Sequence, residues 1–261
     1  ASGPAGSSAP SSTESHGWLA YPAHRSGVGR GPRHAGPVGS FPTMARVQRI
    51  PQPATTRAEQ SDTAVSAVVP IRSFDGLTRL ASLLTAAERA ALMRRLAIHT
   101  LDTIRQAGIR AIVISGDPEV ATWGTDHADS VITESRSGGL NAAARAGIAA
   151  IDGPWIVVHA DLPALSARDV INAVHYARRG FVLAPSHDGG TSLVGGTGDP
   201  FPFSYGPGSF RRHLSATRGR ATILIRPGFA LDLDRPWDLE VLTALGYLRN
   251  GISRDRPRSR R

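Results

Sequence analysis

Apolar and polar residues alternate between two kinds of segment along the chain. Short apolar runs occur at "AVSAVVPI" (64–71), "RAIVISGD" (110–117), "SVITES" (130–135), "PWIVV" (154–158), "FVLAPS" (181–186), "ATILIRPG" (221–228) and "FALDLD" (229–234). Runs of this length with little polar alternation predict strands buried on both faces. Helical periodicity fills the gaps. "TAAERAALMRRLAIHTLDTIRQAG" (85–108) lines up Leu92, Leu96, His99, Thr103 and Ala107, opens on a Thr85–Glu88 capping box and closes on Gly108. "GLNAAARAGIAAI" (139–151) predicts a small-residue helix, "SARDVINAVHYARRG" (166–180) a helix capped by Ser166, and "RPWDLEVLTALGYLRN" (235–250) a closing helix. Strand–helix alternation of this kind predicts one α/β domain, a mostly parallel Rossmann-like sheet with helices on both faces. We place it at residues 63–250. Residues 1–62, rich in Gly, Pro and Ser without periodicity, are expected to be disordered, and 251–261 to form a basic tail.

Composition narrows the chemistry. Among 261 residues the net charge is +9, yet no lysine occurs, so all 30 basic residues are arginine. Any phosphate must be held by Arg forks, backbone N–H groups, hydroxyls or metal. A lysine Schiff base and the P-loop lysine are excluded. No cysteine is present, which excludes disulfides, thiolate metal sites and a cysteine nucleophile. No apolar run approaches a membrane span, and no signal-like segment opens the chain. The expectation is a cytoplasmic protein without membrane contact. The Arg-rich ends are read as solvated tails rather than as a nucleic-acid interface.

Candidate chemistry gathers at strand ends. In open α/β sheets, ligands bind beyond the carboxyl ends of the strands. The strand 154–158 stops in "HADLP", leaving Asp161 at that rim before Pro163 turns the chain away. Asp161 there is either a site carboxylate or a turn cap. His159 is a general base or a packed neutral histidine. Asp232 and Asp234, if on a strand, project from one face. With Asp161 they would form a hard oxygen site suited to Mg²⁺, with Asp232 as ligand and Asp234 as N-cap of the last helix. Gly138 and Gly139 precede a helix with Asn141 in its first turn, which suits an anion or a ribose hydroxyl, or simply a tight turn and a cap. The stretch "SHDGGTSLVGGTGDPFPFSYGPGSF" (186–210) is too long and Gly-rich for an idle connection. Thr191, Ser192, Tyr205, Gly206, Gly208 and Ser209 make it a candidate substrate loop. Arg72 and Arg79 flank the crossing from the first strand to its helix, either a phosphate-facing position or two ordinary surface arginines.

Six stretches occur in an order that resembles one family. "VVPIRSFDGLTRLASLLTAAER", "SGGLNAAARAGIAA", "VVHADLPAL", "HDGGTSLV", "YGPGSFRRHL" and "LDLDRPWDL" together resemble the guanylyltransferases of coenzyme F-420 biosynthesis, over about residues 63–248. The resemblance implies a nucleotidyltransferase (GT-A-like) fold and attack by the phosphate of phosphoenolpyruvate or 2-phospho-L-lactate on the α-phosphorus of GTP, with release of pyrophosphate. It favours phosphoenolpyruvate and is compatible with a homodimer. It implies Mg²⁺ on Asp161 and Asp232, and the phosphorylated three-carbon acid on Thr191, Gly206 and Ser209. The nucleotide falls to Arg72, Gly138, Gly139 and Asn141, and the triphosphate to Arg79. The chain departs from the family in one place: where the family has lysines, it has Arg72 and Leu77, in a loop one residue shorter. Three alternatives stay open: another nucleotidyltransferase or DxD glycosyltransferase of this fold, a degenerate nucleotide-binding paralogue, and a nucleic-acid role for the Arg-rich ends.

Overall fold

The computed structural model describes residues 64–134, 138–198 and 200–248; the expectations for 1–62 and 251–261 lie outside the described residues. Seven strands form one sheet: β1 (Ser66–Pro70), β2 (Arg110–Ser115), β3 (Ser130–Thr133), β4 (Pro154–Val158), β5 (Val182–Pro185), β6 (Thr191–Thr197) and β7 (Thr222–Ile223). Their order is β3-β2-β1-β4-β6-β5-β7. All pairings are parallel except those of β6 with β4 and β5. The helices are α1 (Ala86–Gln106), α2 (Pro118–His127), α3 (Gly139–Ala149), α4 (Ala167–Ala177), α5 (Ser209–Ala216), α6 (Pro227–Ala230) and α7 (Pro236–Ala244).

Both sheet faces are covered, as the pattern predicts. Ala67 and Val69 of β1 and Ile156 and Val158 of β4 pack beneath α1 and α4, while Val68, Trp155 and Val157 face α3 and the ring cluster of Phe201 and Phe203. The small residues of α3 have a packing cause. A Cβ at Gly147 would lie 2.5 Å from Val68 Cγ1, so only glycine lets the helix settle onto β1. The Thr85 capping box opens α1 and Gly108 follows its end at φ +74°, both as expected.

Several elements differ from the sequence reading. "TSLVGGT" is not loop but strand β6, six of its seven residues buried. Its glycines serve packing, not ligand approach: a Cβ at Gly195 would come within 2.8 Å of Val182 and one at Gly196 within 2.8 Å of Phe181. "FALDLD" is not a strand: its first two residues finish the single turn of α6 that Pro227 starts, and the rest is irregular, with Phe229 buried in the core of strands and helices and Leu233 in a leucine cluster. Helices α2 and α5 are additional. Asp117 caps α2 with Pro118 at its first position, a start signal standing before a segment with few apolar residues.

Candidate active site

The reversed strand builds the site. Parallel strands β1, β2, β3, β4 and β5 all end at one rim, and β6, running the other way, begins there with Thr191. His159 N–H donates to the Ser192 carbonyl at 3.1 Å, continuing the ladder into the rim. The segment after α6 joins the same place, where Leu233 N–H donates to the Asp161 carbonyl at 3.0 Å.

Asp161 and Asp232 are thereby brought together. Burial pushes each carboxyl up to about 6, and the neighbouring carboxylates add to it: Asp234 and Asp188 act on Asp161, Asp161 and Asp188 on Asp232. The Asp161 side chain keeps 28% exposure, but its Oδ1 is enclosed and has no hydrogen-bond partner. The nearest imidazole, His159, is 3.9 Å away and burial pushes it down, so it is neutral and packed. Two hard oxygen donors in a repulsive pair suit Mg²⁺. Among the described residues no cluster of three or more such side chains could hold an ion by itself, so the remaining ligands would be water and phosphate oxygens.

Asp232 is held from behind by a histidine that the sequence reading passed over. His187 Nδ1 lies 3.0 Å from Asp232 Oδ1, and its Nε2 3.0 Å from Asp238 Oδ1. Burial alone would lower the imidazole, but the two carboxylates on either side outweigh it and raise it, favouring the charged form. Asp238 Oδ2 accepts the N–H groups of Arg235 at 2.7 Å and Asp234 at 3.1 Å. The expected cap is therefore displaced: Arg235, not Asp234, precedes α7, and Asp238 closes its start. Asp234 instead pairs with Arg79. It does not share a strand face with Asp232, since neither lies on a strand.

The basic residues are unevenly committed. Arg79, in a 3₁₀ turn at Thr78–Leu80, spends its charge on Asp234, and Arg72 is exposed just beyond β1. Leu77, which stands where the family has lysine, adopts a left-handed φ of 56° and packs on the leucine cluster of Leu80, Leu84, Leu92, Leu96, Leu233 and Leu242.

Thr191 and Ser209 meet, with their hydroxyls 3.0 Å apart in a buried position. Gly206 and Gly208 need their freedom, at φ +117° and +67°, and Arg212 clamps their loop through the Ser204 and Pro207 carbonyls. Asn141 is not a cap: its Oδ1 accepts the Tyr205 N–H at 2.6 Å and ties the opening of α3 to that loop. Gly138 precedes α3 with a Cβ position only 2.4 Å from Ala142, and Gly139 has φ +63°. Besides His187, the reading missed Asp188, Asp238 and His213. The signal for two of these histidines lay inside the quoted stretches "HDGGTSLV" and "YGPGSFRRHL", where neither was singled out.

The architecture is that of a nucleotidyltransferase. A nucleotidyl transferase structure from Methanothermobacter superposes with a TM-score of 0.50 over 71% of this chain and 98% of that one, at 17% identity. A nucleotide-diphospho-sugar transferase structure from Desulfovibrio desulfuricans G20 does so with a TM-score of 0.55 over 72% and 88%, at 16% identity. The chain belongs to the guanylyl transferase CofC-like family, whose model matches residues 65–245. It is 37% identical to a 3-phospho-D-glycerate guanylyltransferase of Phenylobacterium zucineum, over 66% of this chain and 86% of that one. It is 34% identical to a phosphoenolpyruvate guanylyltransferase of Rubrobacter xylanophilus, over 70% and 95%, and 35% identical to a 2-phospho-L-lactate guanylyltransferase of Halomicrobium mukohataei, over 67% and 84%. No helix among the described residues is long and apolar enough to cross a membrane.

Proposed function

We propose that this guanylyltransferase joins GMP from GTP to the phosphate of a three-carbon phospho-acid in coenzyme F-420 biosynthesis, with phosphoenolpyruvate the first acid to test. The observation that carries the reading is the Asp161–Asp232 pair, gathered at the sheet rim by a backbone bond, its carboxyls both raised and Asp161 Oδ1 left without a partner. That arrangement suits Mg²⁺, which when bound there would neutralise the triphosphate and stabilise departing pyrophosphate. The phosphate oxygen of the acid forms a bond to the α-phosphorus while the bond from that phosphorus to the bridging oxygen breaks, its electrons leaving with pyrophosphate. The acid's phosphate is already ionised, so no side chain acts as nucleophile.

The residues divide the remaining work. Thr191, Ser209 and the Gly206 backbone hold the acid, and Arg79 turns from Asp234 to the triphosphate. Gly138, Gly139, Asn141 and Arg72 border the nucleotide. Pyrophosphate release with Mg²⁺ and GTP, measured with phosphoenolpyruvate, 2-phospho-L-lactate and 3-phospho-D-glycerate, tests the reading, with ATP and CTP as controls. Release with one acid and GTP supports it. Release from GTP with a sugar phosphate instead would overturn the acceptor.

Leu77 supports a second reading. An apolar side chain committed to the leucine cluster cannot serve a phosphate, so a nucleotide-binding protein without turnover is the competing case. GTP binding without pyrophosphate release for any acid would decide for it.

A further inference from the structure

This inference rests on the reading that Thr191 and Ser209 face the acceptor acid. Behind them, on α5, lies His213, fully buried against the rings of Phe201, Phe203 and Tyr205. Its Nε2 is 2.9 Å from the backbone nitrogen of Ser204, which can only donate, so Nε2 carries no proton. Burial first, with Arg212 and His159 adding to it, pushes the ring down to about 4. The neutral ring therefore has its one proton on Nδ1.

Direction follows from that proton. Nδ1 is 3.0 Å from Thr191 Oγ1 and donates to it. Thr191 then needs an acceptor for its own proton, and Ser209 Oγ, 3.0 Å away, is the one it has. Ser209 in turn keeps a hydroxyl proton with no acceptor among the described residues. Buried donors are rarely left without acceptors, and an anionic oxygen of an acid bound here would supply the one Ser209 lacks.

We propose that His213 is a positioning residue: held in one tautomer by the Ser204 N–H, it aligns the Thr191 and Ser209 hydroxyls so that Ser209 presents a proton to an anionic oxygen of the acceptor acid. The same ring anchors the loop carrying Gly206, because Ser204 begins that loop.

Two substitutions separate this role from simple core packing. The amide of an asparagine falls where His Nδ1 was, and that of a glutamine where Nε2 was. His213→Asn retains a donor to Thr191, and His213→Gln retains only the partner of Ser204. Steady-state pyrophosphate release by the full chain, with GTP saturating and phosphoenolpyruvate, 2-phospho-L-lactate or 3-phospho-D-glycerate varied, should show His213→Gln raising the acid KM about tenfold, the size of one hydrogen bond to a charged group. GTP KM should not follow, and His213→Asn should recover most of the loss. Equal losses in both variants, or no loss in His213→Gln, would overturn the proposal. Ser209→Ala separates it from the reading beneath it. If that change leaves the acid KM alone, the acid site is elsewhere and both fall. If it raises the acid KM while His213→Gln does not, only the ordering role falls. Should the variants fail to fold, NMR of the histidine-labelled wild-type chain decides: a proton on His213 Nδ1 with a bare Nε2 at neutral pH is expected, and a protonated Nε2 refutes the proposal.

Discussion

The N–H of Leu233 donates to the carbonyl of Asp161 at 3.0 Å, joining the end of β4 to a segment that follows six further elements in the chain. Leu233 is fully buried in the leucine cluster, so this bond is fixed by packing on one side and by the sheet on the other. The carboxylates of Asp161 and Asp232 are close because their backbones have no choice.

That enforced proximity sets the first prediction. Asp161→Asn should lower turnover by at least about a hundredfold, yet raise the stability of the metal-free protein. The sign follows from the shift: folded Asp161 titrates near 6 against an ordinary 3.8, so its ionisation costs stability above that range. The variant should exceed wild type by about 1–3 kcal/mol above pH 6, the gap closing as pH falls toward 4. Comparing the two proteins cancels the opposing contribution of His159 and His213, whose lowered values destabilise both on acidification. Denaturant melts across that range read the difference, and a variant with wild-type turnover would remove Asp161 from the site.

His187 holds Asp232 from behind, between it and Asp238. His187→Ala should raise the Mg²⁺ concentration for half-maximal activity about tenfold, because outer partners of ligating carboxylates typically matter by that much. A titration of activity against Mg²⁺ checks it. An unchanged midpoint with only kcat reduced would place His187 in a different role.

Arg79 is bound to Asp234 and must leave it to meet a triphosphate. Arg79→Ala should raise GTP KM about tenfold while the acid KM stays put, since a charge-assisted contact to phosphate is lost. If the acid KM moves instead, Arg79 faces the wrong substrate in the reading above.

Asp169 makes a prediction about stability alone. It is 5% exposed, shares a capping box with Ser166 at the start of α4, and accepts from Arg226 Nε at 2.8 Å. Asp169→Ala removes the cap and the partner of the part-exposed Arg226 guanidinium, and should cost about 1–2 kcal/mol in urea unfolding. Turnover per folded molecule should be unchanged, and a loss of kcat would show that α4 reaches the chemistry.

The sequence made parts of this legible for physical reasons. β4 could be read because a strand covered on both faces must be uniformly apolar, and its stop at His159 marked the rim. α1 and α4 could be read because their caps are local chemistry, complete within a few residues. β6 was hidden because Gly195 and Gly196 look like loop formers, whereas Val182, Phe181, Ile156 and Trp155 crowd them from distant segments. α5 was hidden in a Gly/Pro-rich stretch, since Gly208 at positive φ opens it without a side-chain cap. "FALDLD" misled in the opposite direction, its alternation arising because Phe229 in α6 and Leu233 in an irregular segment each reach a buried cluster. Among the candidate site residues, the Thr191–Ser209 contact and the meeting of Asp161 with Asp232 followed motif order. His187 and His213 could not be read, because Asp232, Asp238 and Thr191 meet them only through the fold.

The bridge Asp232–His187–Asp238 ends at α7, the last helix described. During synthesis the residues of β1 to β7 all precede Asp232 and Asp238, so every strand of the sheet is made before the carboxylates at the two ends of the bridge. The rim therefore holds Asp161 and Thr191 for a time without their counterpart. A chain that has not yet received α7 has every strand but lacks Asp238, the far anchor of His187. A protease that removes α7 would return the protein to that unfinished condition.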